Sequence, residues 1–140
     1  MDDEKSFFDQ LGVLGQFPSA SSQERVLKAV FASIKVLADP ERWDAVTALF
    51  PGWLKTKCAK ICVPHENVQT RDVVELVKIL GEYSYRGAAD QAIRSFMGSL
   101  VEILDQNGKE QFRKALPVEI IHFWEDAQSC SLAATMGQHL

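Results

Sequence analysis

The chain has 140 residues, 46% of them hydrophobic, and its 19 acidic and 15 basic side chains give a formal net charge of −4. A chain of this length fits one domain that can bury a core without staples, and its composition excludes a disordered one. The mild acidity argues against a dedicated nucleic-acid binder, which carries a basic excess on one face.

Other classes fall away on local pattern. Apolar runs such as residues 29–32 fall far short of the roughly 20 residues that cross a bilayer. Asp2, Asp3 and Glu4 put acid where a signal peptide is basic, so the expected location is cytoplasmic. Cys58, Cys62 and Cys130 are an odd number of cysteines, read as free thiols in a reducing compartment.

Helical periodicity dominates the chain. Residues 3–14 place Phe7, Phe8, Leu11 and Leu14 on one face, with acid at the positive end and Gly15 as the stop. After a Phe17-Pro18-Ser19 loop, Ser21 and Glu24 have the spacing of a capping box. The helix that follows, residues 22–38, carries an apolar stripe of Leu27, Val30, Phe31, Ile34 and Leu37. A second face of Ala29, Ala32 and Ser33 is small enough for close helix approach. Asp39-Pro40-Glu41 starts a third helix with Trp43, Val46 and Phe50 inward. Pro51 breaks it and opens a fourth, which runs to about Val63 with Leu54, Cys58, Ile61 and Cys62 on its inner face.

Residues 65–69 read as a connector, and the pattern then restarts. Val73, Val74, Val77 and Leu80 lead to Gly81. Residues 88–104 carry Ile93, Phe96, Met97, Leu100 and Leu104. Asn107-Gly108 signals a turn, Phe112 and Leu116 continue a helix, Pro117 breaks it, and Ile120, Trp124 and Ala127 begin the last one. From Ser129 to the end the residues are small and make a poor stripe, so a weakly ordered tail is expected over 129–140.

The restart keeps register without gaps at an offset of 66 positions: Leu14-Gly15 falls on Leu80-Gly81, Ser33 on Ser99, Asp39 on Asp105, and Phe50-Pro51 on Leu116-Pro117. Identities are few, but stops, apolar positions and helix-start acids agree. The expected fold is all-α: two tandem copies of a four-helix unit, about 5–63 and 71–128, packed as one compact domain over 1–128. Internal pseudo-two-fold symmetry would bring Ala29, Ala32 and Ser33 against Ser95, Gly98 and Ser99.

These recurring signals carry a resemblance. Leu-Gly before a loop, an amphipathic helix, an acidic helix start and a closing Ala-Leu-Pro, clearest from Asp72 to Ala115-Leu116-Pro117, resemble a bacterial family filed as domain of unknown function 2267. The first copy matches it at Leu14-Gly15 and Ala48-Leu49-Phe50-Pro51, with Phe50 where the family has Leu. The resemblance, over about residues 5–127, implies a duplicated all-helical fold. It brings no catalytic residue.

Candidate chemistry is sparse. Cys58-x-x-x-Cys62-x-x-His65 offers thiolates and an imidazole that would suit zinc. A fourth ligand such as Glu66, His122 or Cys130 would have to arrive through the fold. The spacing is uncommon, the face is apolar, and Trp124 and Gln128 hold the equivalent positions, so buried thiols are the expected reading and no metal or other cofactor is assigned. The fourth helix carries Lys55, Lys57 and Lys60 beside Trp53, read as exposed, whereas its counterpart carries Glu119, Glu125 and Asp126 beside the apolar Phe123. These eight residues are the candidate partner-binding positions, and basic helix on acidic helix would suit self-association.

Nucleotide, phosphate-loop and metallohydrolase motifs are missing. Gly12-x-x-Gly15 reads as a helix stop, Ser129, Cys130 and His139 sit in the tail, and Tyr83, Tyr85 and Arg86 read as a packed loop. The function expected from sequence is a non-enzymatic helical interaction or scaffold protein that engages a protein partner or itself. The alternative is a small-molecule binder or enzyme with its pocket between the repeats.

Overall fold

The computed structural model describes residues 2–15, 17–61 and 72–138, with side chains over 4–14, 17–61 and 72–129. Among these residues the chain forms α1 (Asp2–Gly15), α2 (Ala20–Leu37), α3 (Pro40–Thr47), α4 (Gly52–Ala59), α5 (Val73–Leu80), α6 (Arg86–Val101), α7 (Gln106–Ala115), a 3-10 turn (Val118–Ile120) and α8 (Ile121–Gln138), with no strand. The all-helical expectation holds. None of these helices is long and apolar enough to cross a membrane.

Local chemistry sets most boundaries. Asp39, Asp72 and Asp105 cap α3, α5 and α7, accepting from the backbone N–H of Glu41, Glu75 and Gly108. Pro51 and Pro117 separate α3 from α4 and α7 from the 3-10 turn. Several boundaries differ from the sequence reading: α4 ends at Ala59 rather than about Val63, and α6 covers Arg86–Val101 rather than 88–104. The box that opens α2 is built from Ser19 and Ser22, not Ser21 and Glu24, because the Ser19 Oγ accepts from Ser22 N at 3.0 Å and Ser22 reaches back. Asn107-Gly108 is no turn: the Asp105 carboxylate accepts from Gly108 N at 2.7 Å and makes the pair the first turn of α7. The backbone of α8 also stays helical to Gln138, through the stretch expected as a weakly ordered tail; alanines such as Ala133 and Ala134 favour helix without forming a stripe.

One core unites the helices. Phe7 and Leu11 of α1, Val26, Val30 and Ile34 of α2, Ile93, Phe96 and Met97 of α6, and Trp124 of α8 are all fully buried. Each such side chain contributes about 1.5–3 kcal/mol over leaving it in water. Aromatic rings join the two ends of the sequence: Phe31 meets Trp43 at 5.4 Å between centroids, Trp43 meets Phe112 at 6.0 Å, and Phe112 meets Trp124 at 4.5 Å.

The packing order is not the chain order. α6 touches α1, α2, α5 and α8; α5 also touches α2, and α3 lies on α7. α1 therefore docks mainly on α6, far along the chain, with Phe7 edge-on to Phe96 at 6.1 Å. α2 and α6 touch, as expected, and three of their small residues also border other helices. Gly98 faces α1, where a Cβ would meet Leu14 Cδ1 at 2.7 Å. Ala29 and Ala32 border a cleft that Leu80 of α5 closes. Small side chains on α2 and α6 thus make room for α5 and α1.

Candidate functional site

Three surface clefts surround these junctions. One, about 450 Å³, lies between α1, α6 and α8, and its wall includes Gln10, Leu14, Arg94, Ser95, Gly98, Phe123 and Asp126. A cleft of about 270 Å³ lies between α2, the end of α4 and α5, lined by Lys28, Ala29, Ala32, Lys60, Ile61 and Leu80. A third, about 310 Å³, lies between α2, α3 and α4, and its wall includes Phe31, Lys35, Trp43, Asp44, Lys55 and Cys58.

In the large cleft the charges are already spent. Arg94 Nε donates to Asp90 at 2.8 Å and its Nη1 to Asp126 at 3.3 Å, while its guanidinium lies 4.8 Å from the centre of the buried Phe123 ring. The hydrogen bond to Asp90 leads in holding Arg94 above its ordinary pKa, against the desolvation of burial. Gln91 Nε2 donates to the Leu14 carbonyl at 2.8 Å, tying α6 to the end of α1.

The smaller clefts differ. Lys28, Lys35, Lys55 and Lys60 are exposed, and none makes an ion pair among the described residues. Lys28 and Lys35 are two turns apart on α2, about 10 Å at 1.5 Å per residue. Two of these cations line each of the smaller clefts, and together they are a lysine seam along α2 and α4.

The sequence candidates separate accordingly. Lys55 and Lys60 belong to this seam. Lys57 does not: its Nζ donates to Glu24 Oε1 at 2.8 Å and lies 5.3 Å from the centre of the Phe8 ring. The Glu24 hydrogen bond leads in raising the Lys57 pKa, against partial desolvation. Trp53, read as exposed from sequence, is half-buried, with its ring 5.5 Å from Phe7 and 6.1 Å from Phe8. It belongs to the core because α1 lies across it. On α8 Phe123 is buried, and Glu125 accepts from Arg113 at 3.1 Å. With Asp126 held by Arg94, the acidic face of α8 is largely neutralised within the chain. Glu119 is exposed and precedes α8, in the 3-10 turn.

Cys58 is buried, and burial pushes its thiol up to about 12, opposed by nearby Lys35. It is a protonated core side chain at neutral pH rather than a nucleophile. Cys62 and His65 lie outside the described residues. Among the described residues no three His, Cys, Asp or Glu side chains gather as metal ligands.

Sequence reasoning missed Lys28, Lys35 and Leu80. The signal was present: Arg94 and Val101 lie 66 positions after Lys28 and Lys35, so comparing the second helices of the two halves, and not only the fourth, marks α2 as the more basic. No protein-family model, curated protein or solved structure matches the chain.

Proposed function

We propose that the chain is a non-enzymatic helical interaction protein, built by duplication of a four-helix unit, whose binding surface is the lysine seam between α2 and α4. The duplication is supported by the clefts themselves. At the offset of 66, Lys28, Ala29, Ala32, Lys60 and Ile61 correspond to Arg94, Ser95, Gly98, Asp126 and Ala127, and Leu80 corresponds to Leu14. Every residue lining the smaller cleft thus has its counterpart lining the larger one. In each cleft the first helix comes from the other half, as an exchange about a pseudo-two-fold axis requires. The resemblance to domain of unknown function 2267 fits the same reading through its recurring stops at Leu14-Gly15 and Leu80-Gly81.

The observation that carries the interaction reading is the set of lysines without ion pairs among the described residues, on a chain whose net charge is −4. Clustered like charge destabilises a fold slightly, and its retention on one face favours a partner of opposite sign. Glu125 and Asp126 are engaged within the chain, which favours an outside partner over a second copy. The 450 Å³ cleft supports the second reading, a small-molecule pocket between the halves, because its size falls in the range of about 300–1,000 Å³ typical of ligand sites. Its mutually paired charges argue against catalysis there.

Affinity capture from the native host, with wild type beside a Lys35→Glu/Lys55→Glu variant, tests the interaction reading. Proteins retained by wild type at low salt and lost with the variant are expected. Identical protein sets from the two would defeat the reading.

A further inference from the structure

We infer that the cleft between α2, α4 and α5 receives an acidic segment of a partner protein, with an apolar side chain of that segment on the cleft floor and carboxylates on either side paired with Lys28 and Lys60. The inference rests on the interaction reading above and names the chemistry of the partner.

The equivalent cleft neutralises its cation within the chain. Arg94 has two acidic partners, Asp90 one turn earlier on α6 and Asp126 on α8. In the first half both are removed. Lys60 stands where Asp126 would be. Glu24, the counterpart of Asp90, is one turn before Lys28 and in reach of it by spacing, yet it bonds Lys57 at 2.8 Å. Lys57 in turn stands where Phe123 lies under Arg94. Three linked differences, at the positions of Lys57, Lys60 and Glu24, leave Lys28 and Lys60 without an ion pair among the described residues at one cleft.

The floor specifies the rest. Ala29 and Ala32 are buried, Ile61 is half-buried, and Leu80 is 36% exposed, which is unusual for a leucine at a helix junction. An apolar floor rimmed by two cations matches an amphipathic acidic segment, read through anchors and flanking charge. Nucleic acid fits less well: the cleft presents no aromatic stacking surface and the chain is acidic overall. A free anion would find charge but no use for the floor.

The test is a fluorescence-anisotropy titration of the full chain with a labelled peptide of alternating glutamate pairs and leucines. Controls are the same peptide with glutamine for glutamate, and a labelled single-stranded oligonucleotide. Wild type is expected to bind the glutamate peptide about tenfold or more tighter than the glutamine peptide. Lys60→Asp, which installs the residue of the other half and lets Lys28 pair internally, is expected to remove most of that difference; Lys28→Gln should weaken binding less. Both residues are exposed, and circular dichroism of each variant confirms the fold before titration. Equal binding of the two peptides, unchanged affinity in Lys60→Asp, or tighter binding of the oligonucleotide each overturns the inference. None of these touches the interaction reading, which stands or falls on the capture with Lys35→Glu/Lys55→Glu.

Discussion

The clefts flanking α6 and α2 are made from matching positions and carry opposite electrostatic solutions. Around α6 an arginine is enclosed by two carboxylates and laid over Phe123. Around α2 the acid is drawn away by Lys57 and two lysines are left facing solvent. Core positions stay apolar in both: Leu54 and Ile120, or Leu11 and Val77, are equivalent and fully buried. The difference teaches that packing constrains both halves alike, whereas the charges on the rim are set separately in each.

The largest test of this comparison concerns the helix that crosses between halves. Phe7→Ala removes a fully buried ring that contacts Phe96 of α6 and Trp53 of α4. It is expected to cost about 3–5 kcal/mol in urea unfolding, in one cooperative transition. A small loss confined to an early transition would mean that α1 is an appendage.

Lys57 gives a smaller effect with a pH signature. Hydrogen bonding to Glu24 raises its pKa above the ordinary 10.5. Its stabilising effect is therefore complete below pH 10.5 and fades as pH rises through the raised value. Lys57→Met is expected to lose about 1 kcal/mol or less at neutral pH, given the pair's partial exposure. Thermal melts of this variant between neutral pH and pH 11 should lack the alkaline loss attributable to the pair. The variant also frees Glu24 for Lys28, so its affinity for the glutamate peptide should fall.

The buried serines should respond with opposite signs. Ser33 Oγ is buried without a hydrogen-bond partner among the described residues, whereas Ser99 Oγ donates to the Ser95 carbonyl at 2.8 Å. By chemical denaturation, Ser33→Ala should stabilise by about 1 kcal/mol and Ser99→Ala should cost about 0.5–1.5 kcal/mol. The smallest effect belongs to Gly98→Ala, which installs the counterpart residue Ala32. Alanine gains up to about 1 kcal/mol in helix propensity. Leu14, 44% exposed, can swing its Cδ1 aside at little cost. The expected outcome is a melting temperature equal to or slightly above wild type.

Much of the fold was legible because its signals are local. Asp39-Pro40, Pro51, Gly81 and Pro117 punctuate the helices by backbone chemistry alone, and the apolar stripes of α2 and α6 name their buried faces. Where two local signals competed, sequence chose wrongly. Ser21 and Glu24 fit a capping box by spacing, but Ser19 was nearer the loop and Glu24 was taken by Lys57. Asn107-Gly108 resembled a turn until Asp105 captured the glycine N–H. The site was only half legible. Charge contrast between the fourth helices pointed to Lys55 and Lys60, but sequence could not say that Lys57, Glu125 and Asp126 would be spent on Glu24, Arg113 and Arg94. Those pairings follow from which helix lies beside which. The placement of α1 on α6 is a long-range choice that no local pattern encodes.

That placement is also where the account can be tested most directly. In a Cys58→Ala, Cys62→Ser, Cys130→Ser background, Leu14→Cys with Gly98→Cys joins α1 to α6, and Leu80→Cys with Ala32→Cys is the matching pair between α5 and α2. Exchange of first helices between duplicated halves predicts that both pairs oxidise rapidly to disulfides in the folded protein. It also predicts that the within-half pairs, Leu14→Cys with Ala32→Cys and Leu80→Cys with Gly98→Cys, stay reduced. Rapid oxidation of the within-half pairs, or of one exchanged pair without the other, would contradict it.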